Sequence, residues 1–127
     1  MKVAVASLGN NLEALVSPVF GRAPFFVFVE VENGEIKSFE SLANPGVQAV
    51  RGAGILAAQS VVNKGAEAVV GGSFGPNAYT LLAQCGIKIY SAFGIKVGEA
   101  AIKAEKGELG PGIRRGRWGF GGRRRWF

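Results

Sequence analysis

The run AVVGGSFGPNA at residues 68–78 leaves few folds open. Ala68, Val69 and Val70 are apolar on both alternating faces, which predicts a strand covered on both sides. Gly71 and Gly72 allow a sharp bend, and Pro76 marks a helix start, where its missing N–H costs nothing. A covered strand that turns directly into a helix implies a sheet with parallel neighbours. The junction also has a chemical side. Backbone approaches closely at glycine, and a helix N-terminus offers N–H groups and partial positive charge, a combination suited to an anion. The same glycines equally suit a tight connection with no ligand, so the other loops at that sheet edge decide between the two.

Read in order, the chain supplies those neighbours. Residues 2–7 (KVAVAS) are apolar on both faces and predict a central strand, followed by the turn-rich Ser7-Leu8-Gly9-Asn10-Asn11 and a short helical turn through Glu13, Ala14 and Leu15. Pro18 and Pro24 keep the stretch around Arg22 irregular. Residues 25–32 alternate as a strand with Phe25, Val27, Val29 and Val31 on one face. Asn33-Gly34 predicts a two-residue hairpin into residues 35–42, where Lys37 and Glu40 suit an exposed edge. The period then lengthens. Ile55, Ala58 and Val62 mark a helical stripe ended by Gly65. After the strand at residues 67–70, Ala78, Leu81, Leu82 and Cys85 recur at helical spacing, which places Cys85 with the core. A strand at residues 87–91, the loop Ala92-Phe93-Gly94 and a helix over residues 97–106 complete the order β-β-β-α-β-α-β-α. Right-handed crossovers then give an α/β, three-layer architecture. Its mixed five-stranded sheet runs 3-2-1-4-5, with strand 2 antiparallel and helices on both faces. Strands 1 and 4 are adjacent with connections leaving in opposite directions, a switch point where such sheets bind ligands.

Charge divides the chain in two. The net charge is +6 over 127 residues. Up to Leu109 basic and acidic residues match one for one, so the excess lies in Arg114, Arg115, Arg117, Arg123, Arg124 and Arg125. This predicts a domain at residues 1–109 and a basic Gly/Arg/aromatic tail at residues 110–127, which also carries both tryptophans, Phe120 and Phe127. The single Cys85 and the absence of a signal-peptide layout make a cytoplasmic location the expectation, and no apolar run approaches membrane-spanning length. With no histidine and no aspartate, histidine triads and histidine–carboxylate metal sites are excluded. No acid, base and nucleophile set can be assembled from what remains, so a binding protein rather than an enzyme is expected.

The opening MKVAVASLGNNLEALVSPVFGRAPFFVFVEVENGEI, the later GAGILAAQSVVNKGAEAVVGGSFGPNAYTLLAQCGIKIYSA and the element order resemble the dinitrogenase iron–molybdenum cofactor biosynthesis family, the NifX-like domains, over residues 1–109. The resemblance implies a ribonuclease H-like fold and non-covalent carriage of an anionic metal–sulfur cluster or its precursor, built from molybdenum with iron or copper, among cofactor-assembly proteins. Some nitrogenase-type carriers in this family use a histidine near the cluster, which this chain lacks. An outer-sphere site is therefore expected at the ends of strands 1 and 4, from Ser7, Gly9, Asn10, Arg22, Gly72, Ser73, Phe74, Gly75 and Asn77, with no direct metal ligand. Arg22 equally suits a surface ion pair or a carbonyl cap. Phe74 fits a pocket wall or the core, and Phe93 is expected to close the core. Two-metal nuclease chemistry would need clustered carboxylates on the central strands, and there are none. The tail supports a second reading. Arginines interleaved with aromatics suit single-stranded nucleic acid, while a solubilising or partner-docking tail, or a flap over an anionic ligand, stays open.

Overall fold

The computed structural model describes residues 1–47 and 52–114. Its centre is β1 (Lys2–Ser7), which pairs antiparallel with β2 (Phe25–Glu32) on one side and parallel with β4 (Ala68–Gly71) on the other. β3 (Glu35–Ala43) pairs antiparallel with β2, and β5 (Lys88–Ser91) parallel with β4. The hairpin between β2 and β3 turns at Asn33 and Gly34 with φ of 54° and 79°. Two consecutive left-handed residues match the twist of the flanking strands, which is why Asn-Gly signals this turn. The sheet order is β3-β2-β1-β4-β5-β6, so the expected five-strand order holds and gains one strand. That sixth strand, β6 (Gly110–Pro111), comes from the first residues of the segment read as tail and lies antiparallel to β5. Its Gly-Pro sequence carries no strand signal.

Alternation along β1 builds two cores. Val3 and Val5 join Val27, Val29, Val31, Ala68 and Val70 beneath α3 (Val97–Glu105). Ala4 and Ala6 face the opposite layer, which holds α1 (Ala53–Asn63) and α2 (Pro76–Gln84). The small alanines leave room for large rings there. Phe20 sits between Phe26 and Phe74, with centroids 5.1 Å away in each case. All three rings are fully buried.

Two helical expectations need correction. α1 buries Ala53, Ala57, Ala58 and Val61, with Val62 packed against the same core, so of the expected Ile55, Ala58, Val62 stripe only Ile55 does not join that core. A β-carbon on Gly54 would stand 3.2 Å from Ala78 Cβ, and one on Gly21 3.2 Å from Gly54 Cα. Such close approach admits only small side chains, and the bulkier Ile55 turns toward a cavity instead. Cys85 is exposed, not core. α2 ends at Gln84, and Cys85 caps it beyond the last buried turn, where Leu82 is the final side chain to reach the core. The expected helical turn at residues 13–15 is a non-helical turn, in which Asn11 Oδ1 accepts the Glu13 amide at 2.9 Å.

The exposed edge strand carries one informative ion pair. Lys64 Nζ pairs with the Glu40 carboxylate and lies 5.8 Å from the Phe28 ring centroid. The hydrogen bond from Lys64, and then its charge, hold the Glu40 carboxyl below the usual glutamate range. A depressed carboxyl pKa contributes stability above its unfolded value, and the contribution is lost as pH falls through the folded one. Because the pair is solvent-exposed, Glu40 is expected to titrate low by NMR at low ionic strength. It should return toward the ordinary value in about 1 M salt, where the screening length is about 3 Å.

Candidate functional site

β1 and β4 lie side by side in parallel, so the expected switch point exists. The chain itself fills the crevice there. The Ser17 amide donates to Ala6 O at 2.7 Å, and the Gly72 amide donates to Ser17 O at 2.9 Å. Ser73 Oγ donates to Pro18 O at 3.0 Å, and Ser73 O accepts the Phe20 amide at 2.9 Å. Gly72 is packed so tightly beneath Pro18 that an added β-carbon would sit 2.5 Å from Pro18 O. The glycine at this bend is thus required by backbone contact within the chain.

The nine residues expected at the site separate accordingly. Ser7 is buried, and its hydroxyl donates to Gly9 O at 2.6 Å while accepting the Gly9 amide. Gly9 packs near Ala14, and Asn10 is exposed. Gly72 and Ser73 are engaged by residues 17 and 18, as above. The Phe74 amide donates to Ile113 O at 2.9 Å, and its ring belongs to the core. Phe93 is 60% exposed, so the expectation that it closes the core is corrected; the loop after β5 turns it outward. Arg22, Gly75 and Asn77 remain, and the fold brings these three together around one cavity.

That cavity has a volume of about 230 Å³ and lies on the α1/α2 flank of the switch point. Three chain segments wall it: the 3-10 turn Phe20–Arg22 with Val19, the start of α1 at residues 52–55, and the start of α2 at residues 75–78. Both helices begin at a glycine N-cap, Gly52 and Gly75, with no side-chain cap and no acidic residue in the first turn. Intrahelical bonding begins with the Leu56 amide to Gly52 O and the Tyr79 amide to Gly75 O. The amides of Ala53, Gly54 and Ile55, and of Asn77 and Ala78, precede those bonds and have no acceptor within their own helices. Most helices satisfy such groups with Ser, Thr, Asp or Asn. Here two uncapped N-termini open on the same space, and their dipoles favour negative charge.

Among the described residues, Arg22 adds the one ionisable side chain in the lining. One guanidinium nitrogen, Nη1, donates to Val47 O at 3.3 Å, the carbonyl-capping role left open by the sequence, while the residue remains at the cavity wall. Among the described residues no cluster of His, Cys, Asp and Glu is arranged to hold a metal ion. N–H groups and a guanidinium together give this cavity a lining whose chemistry suits an anion.

Sequence reasoning missed the α1 side of this cavity. Its signal was present in Gly52-Ala53-Gly54, a helix start with no capping residue. The arginines from Arg115 onward, both tryptophans, Phe120 and Phe127, on which the nucleic-acid reading rests, lie outside the described residues. Among the described residues no helix is long and apolar enough to cross a membrane.

A family model described as dinitrogenase iron-molybdenum cofactor matches residues 1–107. The chain is 36% identical over 109 residues to the uncharacterized protein MJ0580 of Methanocaldococcus jannaschii, covering 86% of this chain and 89% of that protein. Among solved structures, the apo form of the orange protein from Desulfovibrio gigas superposes with a TM-score of 0.79 at 33% identity, covering 87% of this chain and 91% of the other. The Thermotoga protein TM1290 gives 0.71 at 33% identity, with the same coverage of both chains.

Proposed function

Since the chain belongs to the dinitrogenase iron–molybdenum cofactor family, we propose that it is a small carrier for an anionic metal–sulfur cluster, or a precursor of one, within cofactor assembly. One observation supports this reading above the others. The N-termini of α1 and α2, both uncapped, converge with Arg22 on a cavity whose lining, among the described residues, offers no carboxylate, thiol or imidazole. Such a lining suits outer-sphere binding, in which N–H groups face the sulfur or oxygen surface of the cargo. The volume is below the roughly 300–1,000 Å³ of pockets that enclose organic ligands. A compact thioanion, or one face of a larger cluster, suits it better. We read the protein as a carrier rather than an enzyme, a reading with which the lining accords, since among the described residues it contains no acid–base pair.

Anaerobic titration with tetrathiomolybdate, and reconstitution with molybdate, sulfide and iron or copper, test the proposal through absorption spectra and metal analysis after desalting. Retained molybdenum at a fixed ratio to protein is the expected result. Protein that retains no metal under any combination overturns the proposal. The substitution Arg22→Gln is expected to weaken tetrathiomolybdate binding about ten- to a hundredfold, the loss of one charge-assisted contact of about 1.5–3 kcal/mol, with circular dichroism as the folding control. Binding equal to the parent would remove Arg22 from the site.

A further inference from the structure

Asn44, the first residue after β3, is only 3% exposed, and nothing said of the cavity so far gives it a role. Burying a side-chain amide is costly unless its donors and its acceptor are met. Here backbone groups meet them. Nδ2 donates to Gly21 O at 3.1 Å and to Ala23 O at 2.8 Å, the carbonyls on either side of Arg22. Oδ1 accepts the Gly46 amide at 2.8 Å, and the Asn44 amide donates to Pro24 O at 3.1 Å. A carboxylate of the same shape would set oxygen against oxygen at both carbonyls, so the amide is required.

The same residue reaches the other end of Arg22. Residues 44–47 form a turn in which the Val47 amide donates to Asn44 O at 3.3 Å, and Val47 O accepts the Arg22 guanidinium at 3.3 Å. Asn44 thus holds Arg22 twice. Its side chain fixes the backbone that carries the arginine, and its turn presents a carbonyl to the head group. The turn is seated against the start of α1, because a β-carbon on Gly46 would collide with Ala53 O. Two of the three segments that wall the cavity, the 3-10 turn and the first residues of α1, therefore meet at residues 44–47. Arg22 itself is exposed, and an exposed arginine ordinarily samples many rotamers whose freedom is lost when it binds an anion.

We propose that Asn44 is a positioning residue for anion binding, which presets Arg22 at the cavity wall so that the arginine is already ordered when the anion arrives. The proposal rests on the carrier reading above and deepens it, naming what sets the place of the side-chain charge in the lining. Asn44 itself does not line the cavity, so its effect on binding runs through Arg22. A residue needed for stability alone would change binding whatever stands at position 22. A positioning residue has nothing left to act on once the arginine is replaced.

The test is a double-mutant cycle on tetrathiomolybdate affinity of the full chain, by anaerobic equilibrium dialysis well below the melting point, with circular dichroism as the folding control. Asn44→Ser removes both Nδ2 donors, while a serine hydroxyl still accepts the residue 46 amide in the equivalent turn. It is expected to weaken binding about three- to tenfold, the range for leaving one long side chain to be ordered by the ligand. In Arg22→Gln protein the same change is expected to alter affinity less than about twofold. An Asn44→Ser protein that binds like the parent overturns the proposal, and so does an equal loss in both backgrounds. NMR relaxation at Arg22 Nε of the parent needs no variant. An order parameter above about 0.6 is expected there, and a lower one overturns the proposal even where Asn44→Ser fails to fold. A parent chain that binds no tetrathiomolybdate overturns the carrier reading itself, while a drop in that order parameter on Asn44→Ser would still show Asn44 holding Arg22.

Discussion

Phe20→Ala is expected to cost about 3–5 kcal/mol, the range for deleting a fully buried aromatic ring, and to lower the melting temperature by roughly 10–20 °C. The reason lies in where the ring sits. Phe20 is fully buried and stacks between Phe26, from the sheet, and Phe74, from the bend after β4. It is also the first residue of the 3-10 turn whose next two residues, Gly21 and Arg22, line the cavity. Removing the ring leaves an aromatic-sized void between Phe26 and Phe74 and is expected to loosen the turn that carries Arg22. Thermal unfolding followed by circular dichroism measures the first effect. Tetrathiomolybdate affinity well below the melting point measures the second, and both are expected to fall. A stability loss under about 1 kcal/mol would show that the layer collapses around the gap, contrary to its description as a filled ring stack.

Gly72→Ala is the second large effect, expected at about 2–4 kcal/mol, above most single substitutions. The added methyl would meet Pro18 O at 2.5 Å, Pro18 Cα at 2.6 Å and Pro18 C at 2.9 Å. These are backbone atoms and cannot rotate away, so the segment at residues 16–19 must lift from the sheet edge. Lifting it breaks the Gly72 amide bond to Ser17 O and the Ser73 hydroxyl bond to Pro18 O. Amide hydrogen exchange should therefore accelerate at Ser17 and Gly72 before it does in β1. Gly110→Ala is the control. No atom lies within 4 Å of the position its β-carbon would take, and its effect should stay within about 0.5 kcal/mol. Equal effects at the two glycines would contradict the close contact at Gly72.

The strand framework was legible because alternation is a strong signal when both faces are apolar. Lys2–Ser7, Phe25–Glu32 and the Asn33-Gly34 turn fall where the pattern places them, and handedness did the rest of the ordering. Helix orientation was harder to read. α1 has apolar residues around most of its circumference, and which side turns inward is decided by closeness of approach at Gly54 and Ala78, not by hydrophobicity. The C-terminal end of α2 misled for a related reason, since Cys85 keeps the right angular position but stands past the last turn that meets the sheet. For the candidate site, sequence located the switch point, together with Arg22, Gly75 and Asn77. It could not reveal that residues 17 and 18 would use the Gly72 amide and the Ser73 hydroxyl, because no local pattern records which distant carbonyl claims a donor. The cavity therefore lies one step aside, toward α1.

The contact of Gly21 with Gly54, and of Gly54 with Ala78, sets how far apart three independent chain segments stand. Those contacts act as a spacer, since a β-carbon added at Gly21 would stand 3.2 Å from Gly54 Cα and one added at Gly54 would stand 3.2 Å from Ala78 Cβ. A single methyl at Gly54 would meet only Ala78 Cβ at that range and push the two helix ends apart by a few tenths of an ångström. The width of the opening is thus set by how closely Gly21, Gly54 and Ala78, all in its wall, let three chain segments approach. Relatives that differ at these three positions should accept anions of different diameter while keeping the same arginine and the same amides.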